Sequence, residues 1–185
     1  MDTARLEAFT DGVVAIIITI MVLELRVPHG TDLAALRADG PVLFAYVLSY
    51  VNVGIFWNNH HHMLTVTERV NGKVLWANLF LLFWLSLVPF AIRWIDEEGF
   101  TALPTAAYGI VLLCAGLGYL LLQRQIIALQ GRDSRLAVAV GQDRKGKLTF
   151  VLYLAAIALA FVRPWVSIAL YVVVALVWLV PDTRI

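Results

Sequence analysis

Along this chain, long apolar stretches alternate with short polar ones, and each apolar stretch is long enough to be a helix crossing a bilayer. The first covers residues 9–25 and stops before Pro28, because the residue preceding a proline avoids the helical region. The second covers 42–65 and carries the polar patch Trp57-Asn58-Asn59-His60-His61-His62. The third, 74–95, contains Pro89 and is expected to kink there. The fourth, 104–127, carries Gly109, Gly116 and Gly118, where a neighbouring helix can approach closely. A polar segment follows over 130–147. The last two stretches, 148–162 and 165–180, are divided only by Arg163-Pro164. A single helix across both would reach about 50 Å, well past a bilayer core of about 30 Å, so a tight helical hairpin is expected. The predicted fold is an all-α, polytopic membrane protein: one transmembrane domain over 1–185 with six spans.

Composition strengthens the membrane reading. Of 185 residues, 61% are hydrophobic and 15% charged, and the mean hydropathy is +0.83. Soluble domains hold about 45–50% apolar and about 25% charged residues. The net charge of +1 is spread through connecting segments, so nothing indicates a nucleic-acid partner. Cys114 is the one cysteine, which excludes an intrachain disulfide and a cysteine metal site. The first apolar stretch contains Asp11 and lacks a small-residue cleavage site, so it reads as a retained helix rather than a signal peptide. One set of flanks holds Arg5, Arg69, Lys73, Arg124, Arg132, Arg135, Arg144, Lys145, Lys147 and Arg184. The other holds Arg26, Arg37, Arg93 and Arg163 beside Asp96-Glu97-Glu98. The excess of basic residues places both termini in the cytoplasm, across the cell's plasma (inner) membrane.

Candidate chemistry concentrates in the first span. A carboxylate such as Asp11 inside an apolar helix usually faces a partner or a water-filled cavity. At 100° per residue, Ile16, Ile20 and Leu23 fall within about 60° of one another, Thr19 borders them, and Asp11 points away. Spacing alone favours lipid contact or ordinary packing for that stripe over a functional role. It leaves Asp11 open between a structural pair and a functional group, and Thr19 between a bond to its own helix and a functional hydroxyl. Three consecutive histidines point about 100° apart and cannot all hold one ion, so one or two of His60, His61 and His62 are expected to hydrogen-bond to Asp11, Arg5 or the asparagines. A pH-sensing role for them is also open. The sequence shows no TVGYG-type filter, P-loop, GxSxG or HExxH motif, and no nucleophile–base pair that would suggest an enzyme.

The segment Arg5-x-x-x-Phe9-Thr10-Asp11, followed by Ala15-Ile16 and Thr19 to Leu25, resembles the first-helix signature of the transmembrane protein 175 family. Trp57-x-x-His60-His61 also looks like that family's pattern. Thr10 stands where prokaryotic members carry serine, which keeps the hydroxyl on a stiffer side chain. The resemblance implies a homotetrameric, potassium-permeable channel in the bilayer, without a pore loop or cofactor, K⁺ itself being the permeant ion. It implies a constriction of aliphatic rings at Ile16, Ile20 and Leu23, with Thr19 contributing to selectivity. It also implies a scaffold of Arg5, Phe9, Thr10, Asp11, Trp57, His60 and His61 that reaches a third-span group such as Trp76 or Asn78. The competing readings are a proton- or ion-coupled transporter using Asp11 and the His60–His62 run, and a non-conducting membrane scaffold.

Overall fold

The computed structural model describes residues 3–25, 27–141 and 143–179. Arg26, Arg184 and the end of the sixth expected span at Val180 lie outside these. Within them the chain folds into α1 (Thr3–Leu23), α2 (Leu33–Ala38), α3 (Gly40–Thr65), α4 (Gly72–Ser86), α5 (Val88–Glu98), α6 (Ala102–Gln130), α7 (Arg135–Val140), α8 (Arg144–Ala160) and α9 (Pro164–Leu179). No strand occurs among the described residues. Four stretches are long and apolar enough to cross a membrane: α1, α3, the 27 residues of α4 with α5, and α6. The shorter α8 and α9, of 17 and 16 residues, pair as a hairpin.

Several helices run past the apolar stretches expected of them. Helix α1 begins at Thr3 rather than residue 9, so Arg5, Glu7 and Asp11 are all helical, and it ends at Leu23 rather than 25. Helix α6 runs on to Gln130, and α8 starts at Arg144, inside the segment expected to be a polar connection. That connection also contains α7, capped by Ser134 Oγ accepting from the Ala137 amide at 3.3 Å. Polar residues do not end these helices, because a helix satisfies its own backbone as it leaves the hydrocarbon.

At the expected kink before Pro89 the regular helix is interrupted for one residue, Leu87, whose backbone stays in the right-handed helical region. Helix α4 ends at Ser86, Leu87 intervenes, and α5 starts at Val88 with Pro89 in its first turn. Proline has no amide proton to bond the carbonyl four residues back, and its fixed φ suits a helix start. Packing on α6 is closest where glycine permits it. A Cβ on Gly118 would lie 2.8 Å from the Leu81 Cα of α4, and one on Gly109 would collide with the Tyr171 hydroxyl of α9. Gly116, expected to serve similarly, has open space where its side chain would be. The α8–α9 hairpin is tied by Ser167 Oγ donating to the Ala156 carbonyl at 2.7 Å and Trp178 Nε1 donating to Thr149 Oγ1 at 2.8 Å.

Candidate functional site: the three faces of the first helix

Helix α1 divides its residues among three faces. Leu6, Thr10, Val14, Ile17 and Met21 recur every three or four positions and are buried against α3, α4 and α5. A second face, carrying Glu7 and Asp11, meets α3 with antiparallel rungs. Trp57 Nε1 donates to Asp11 Oδ1 at 2.8 Å, and one turn along, His61 Nδ1 pairs with Glu7 Oε1 at 2.8 Å. The Trp57 and His61 rings are nearly parallel, with centroids 6.1 Å apart. The third face is exposed: Ile16 (58%), Ile20 (40%) and Leu23 (80%) stand on it beside Thr19.

Below the rungs, a buried polar chain joins three helices. His60 Nε2 and Asn78 Oδ1 are 2.8 Å apart, and Asn78 Nδ2 donates to Thr10 Oγ1 at 2.9 Å. With the amide spent on Thr10, Asn78 offers its carbonyl oxygen to His60, so the proton between them belongs to Nε2. All three residues are buried. Consecutive positions thus send His60 into the core, His61 to Glu7 and His62 to the exposed surface.

The structure therefore assembles Thr10, Asp11, Trp57, His60 and His61 around the α1–α3–α4 junction. Neither histidine bonds to Asp11 or to the adjacent asparagines. Asn59 instead donates to the Ile55 carbonyl of its own helix, and Asn58 is exposed. Arg5 is exposed at the start of α1. Phe9, half exposed, lines a small cavity of about 190 Å³ with Leu6, Leu75, Asn78 and Leu79. Trp76 is exposed, and Asn78 is the α4 residue that hydrogen-bonds to α1. Glu7 was missed in the sequence, although it lies one turn before Asp11, as Trp57 lies one turn before His61. Thr19 Oγ1 donates to the Ile16 carbonyl at 2.9 Å, so its proton stays with the helix and its oxygen faces outward.

Residues 5–89 match the family model described as endosomal/lysosomal potassium channel TMEM175, a span that includes every residue of the junction. A potassium channel of Chryseobacterium sp. strain P1-3 is 48% identical over 185 residues, covering 100% of this chain and 96% of that one. The chain belongs to the TMEM175 family. This is a family of membrane channels, which is not an enzyme class. The fold of this TMEM175 member is similar to a crystal structure described as a lysosomal potassium-selective channel TMEM175 homolog from Chamaesiphon minutus. The TM-score is 0.85, with 26% identity and 98% of each chain covered. Human TMEM175, described as an endosomal/lysosomal proton channel, is 32% identical over 105 residues, which are 50% of this chain and 21% of that protein.

Proposed function

We propose that this chain forms a potassium-permeable cation channel, a homotetramer in the plasma (inner) membrane whose pore is lined by the exposed face of α1. The observation that carries this reading is the burial of α1. It has the smallest buried share of the four membrane-length stretches, 28% against 33–50%, and its exposed face repeats aliphatic side chains at i, i+4 and i+7. Each subunit crosses six times, with α8 and α9 as the last two spans of a single domain over 1–185 and both termini cytoplasmic.

Four copies of Ile16, Ile20 and Leu23 stack three aliphatic rings over about 10 Å of helix. Such rings close a path by contact and by dewetting. Between the first two, the Thr19 oxygens present lone pairs, their protons being held by Ile16 carbonyls. K⁺, less tightly hydrated than Na⁺, sheds water there at lower cost, which gives modest selectivity. Arg5, Phe9, Thr10, Asp11, Trp57, His60 and His61 form the scaffold that fixes the rotation of α1, so that the aliphatic stripe faces the axis. No cofactor is needed.

The test uses a Cys114→Ser background with single cysteines at positions 16, 20, 22 and 23, reconstituted in liposomes. A charged thiol reagent is expected to block K⁺ flux at 16, 20 and 23. It should spare 22, which is comparably exposed but about 120° around the helix. Equal sensitivity at 22, or none at the other three, overturns the pore assignment. In the native-cysteine protein, Ile16→Ala or Leu23→Ala should raise flux or lower K⁺/Na⁺ discrimination.

A second reading, proton conduction, is favoured by the proton-channel relatives and by the His61–Glu7 contact, which lies on the α3-facing side of α1 away from the stripe. Acidification of vesicles under a pH gradient, without saturation and without K⁺, would select it. Saturating, gradient-coupled uptake would instead select a transporter.

A further inference from the structure

Helix α1 carries an acidic residue at the end that least favours one. Glu24 follows directly after Leu23, the last residue of α1, and its amide bonds to the Ile20 carbonyl at 3.3 Å. The C-terminus of a helix has a partial negative charge, so a carboxylate there is repelled unless a cation compensates. Arg93 on α5 supplies that cation. Its Nη1 is 3.5 Å from Glu24 Oε2, while its Nε donates to Glu97 Oε1, one turn along α5, at 3.2 Å. The planar guanidinium thus spans two carboxylates with two different nitrogens, and Glu97 holds it in place for Glu24. Arg93 is exposed and Glu24 is largely covered. An exposed pair of this kind is too weak to hold a fold together, but a small bias is enough to set the balance of a two-state element.

Two features make that bias consequential. Leu23, the most exposed ring residue, precedes Glu24 directly. Helix α5 is a short piece, offset from α4 at Leu87 and packed by Val88, Ala91, Ile92 and Ile95 into the core it shares with α1. Movement at the Leu87 interruption therefore reaches the Leu23 end of α1 through the Arg93–Glu24 contact.

We infer that Arg93 is a positioning residue for the channel: by clamping Glu24 it holds the Leu23 ring in its closed radius and couples that ring to the tilt of α5. This rests on the reading of α1 as the pore helix. The experiment measures K⁺ efflux from liposomes for the native chain, Glu24→Gln, Arg93→Gln, the exchanged double variant Glu24→Arg/Arg93→Glu, and Ile16→Ala. The proposal expects each neutralised variant to raise resting efflux about fivefold or more, since four pairs act on one gate. The exchanged double variant should return it to within about twofold of native. Either single variant serves if the other fails to assemble by size exclusion. Unchanged efflux in both, with native conduction and Ile16→Ala sensitivity intact, overturns the clamp alone. Effects of opposite sign also overturn it, since they would mark a role for the charges in attracting cations. An Ile16→Ala variant indistinguishable from native would instead count against the pore reading.

Discussion

Asn78→Leu is expected to lower the thermal midpoint of the detergent-solubilised protein by roughly 2–12 °C and to abolish most K⁺ flux. Leucine keeps the volume of the side chain and removes both of its hydrogen bonds, leaving the His60 Nε2 proton and the Thr10 hydroxyl buried without that partner. In water-soluble cores an orphaned group costs about 1–3 kcal/mol. Between membrane helices a hydrogen bond averages about 0.6 and reaches about 1.7 kcal/mol, because the separated helices also find partners. Two such bonds give roughly 1–3 kcal/mol, and for a chain of this size each kcal/mol moves the midpoint by about 2–4 °C. The loss of flux should exceed the loss of stability, since α1 would keep its apolar packing while losing what sets its rotation. A variant with native flux would show that the chain from His60 to Thr10 does not orient the pore helix.

Gly118→Val should be more damaging to the fold. The obstacle to even one added carbon is the Leu81 backbone, which cannot swing aside as a side chain can. Overpacking a core costs about 1–3 kcal/mol where side chains can adjust, and here α4 and α6 must separate. The expected outcome is protein that is extracted poorly, or elutes as aggregate, with Gly118→Ala intermediate. Gly116→Val, with open space around it, is the control and should behave as native within error. If both valine variants behave alike, the close contact at Leu81 is not what holds these helices together.

The contrast between these two glycines shows what a single sequence can tell. Gly109, Gly116 and Gly118 carry the same signal, small residues on an apolar helix, yet two meet a neighbour and one does not. The difference lies in which face of α6 points inward, and that depends on helices elsewhere in the chain. Two of the three faces of α1, the aliphatic stripe and the Asp11 side, were easier to read, because the relative directions of residues on one helix follow from 3.6-residue periodicity alone; the buried face was not read. The divergence of His60, His61 and His62 followed from the same geometry. Their partners did not: nothing in the order of residues says that Trp57 aligns with Asp11 and His61 with Glu7, since the register between α1 and α3 is a tertiary property. The interruption at Leu87 was half legible. Proline marks where a helix is disturbed, but whether it bends or restarts depends on the packing of the next turn. Helices α2 and α7, of six residues each, are too short to show a period.

The α8–α9 hairpin has a further consequence. At 1.5 Å per residue its arms are about 24–26 Å long, against a hydrocarbon thickness of about 30 Å. Exposed Trp165 and Phe161 stand at its turn, next to Arg163. On the six-span reading proposed above, a hairpin this short is accommodated by thinning of the surrounding bilayer, by snorkelling of its flanking residues or by packing against other helices, at a cost of fractions of a kcal/mol per Å. If both arms cross, such hydrophobic mismatch favours short-chain lipids at that edge, and bilayer thickness becomes a variable to which the hairpin would respond.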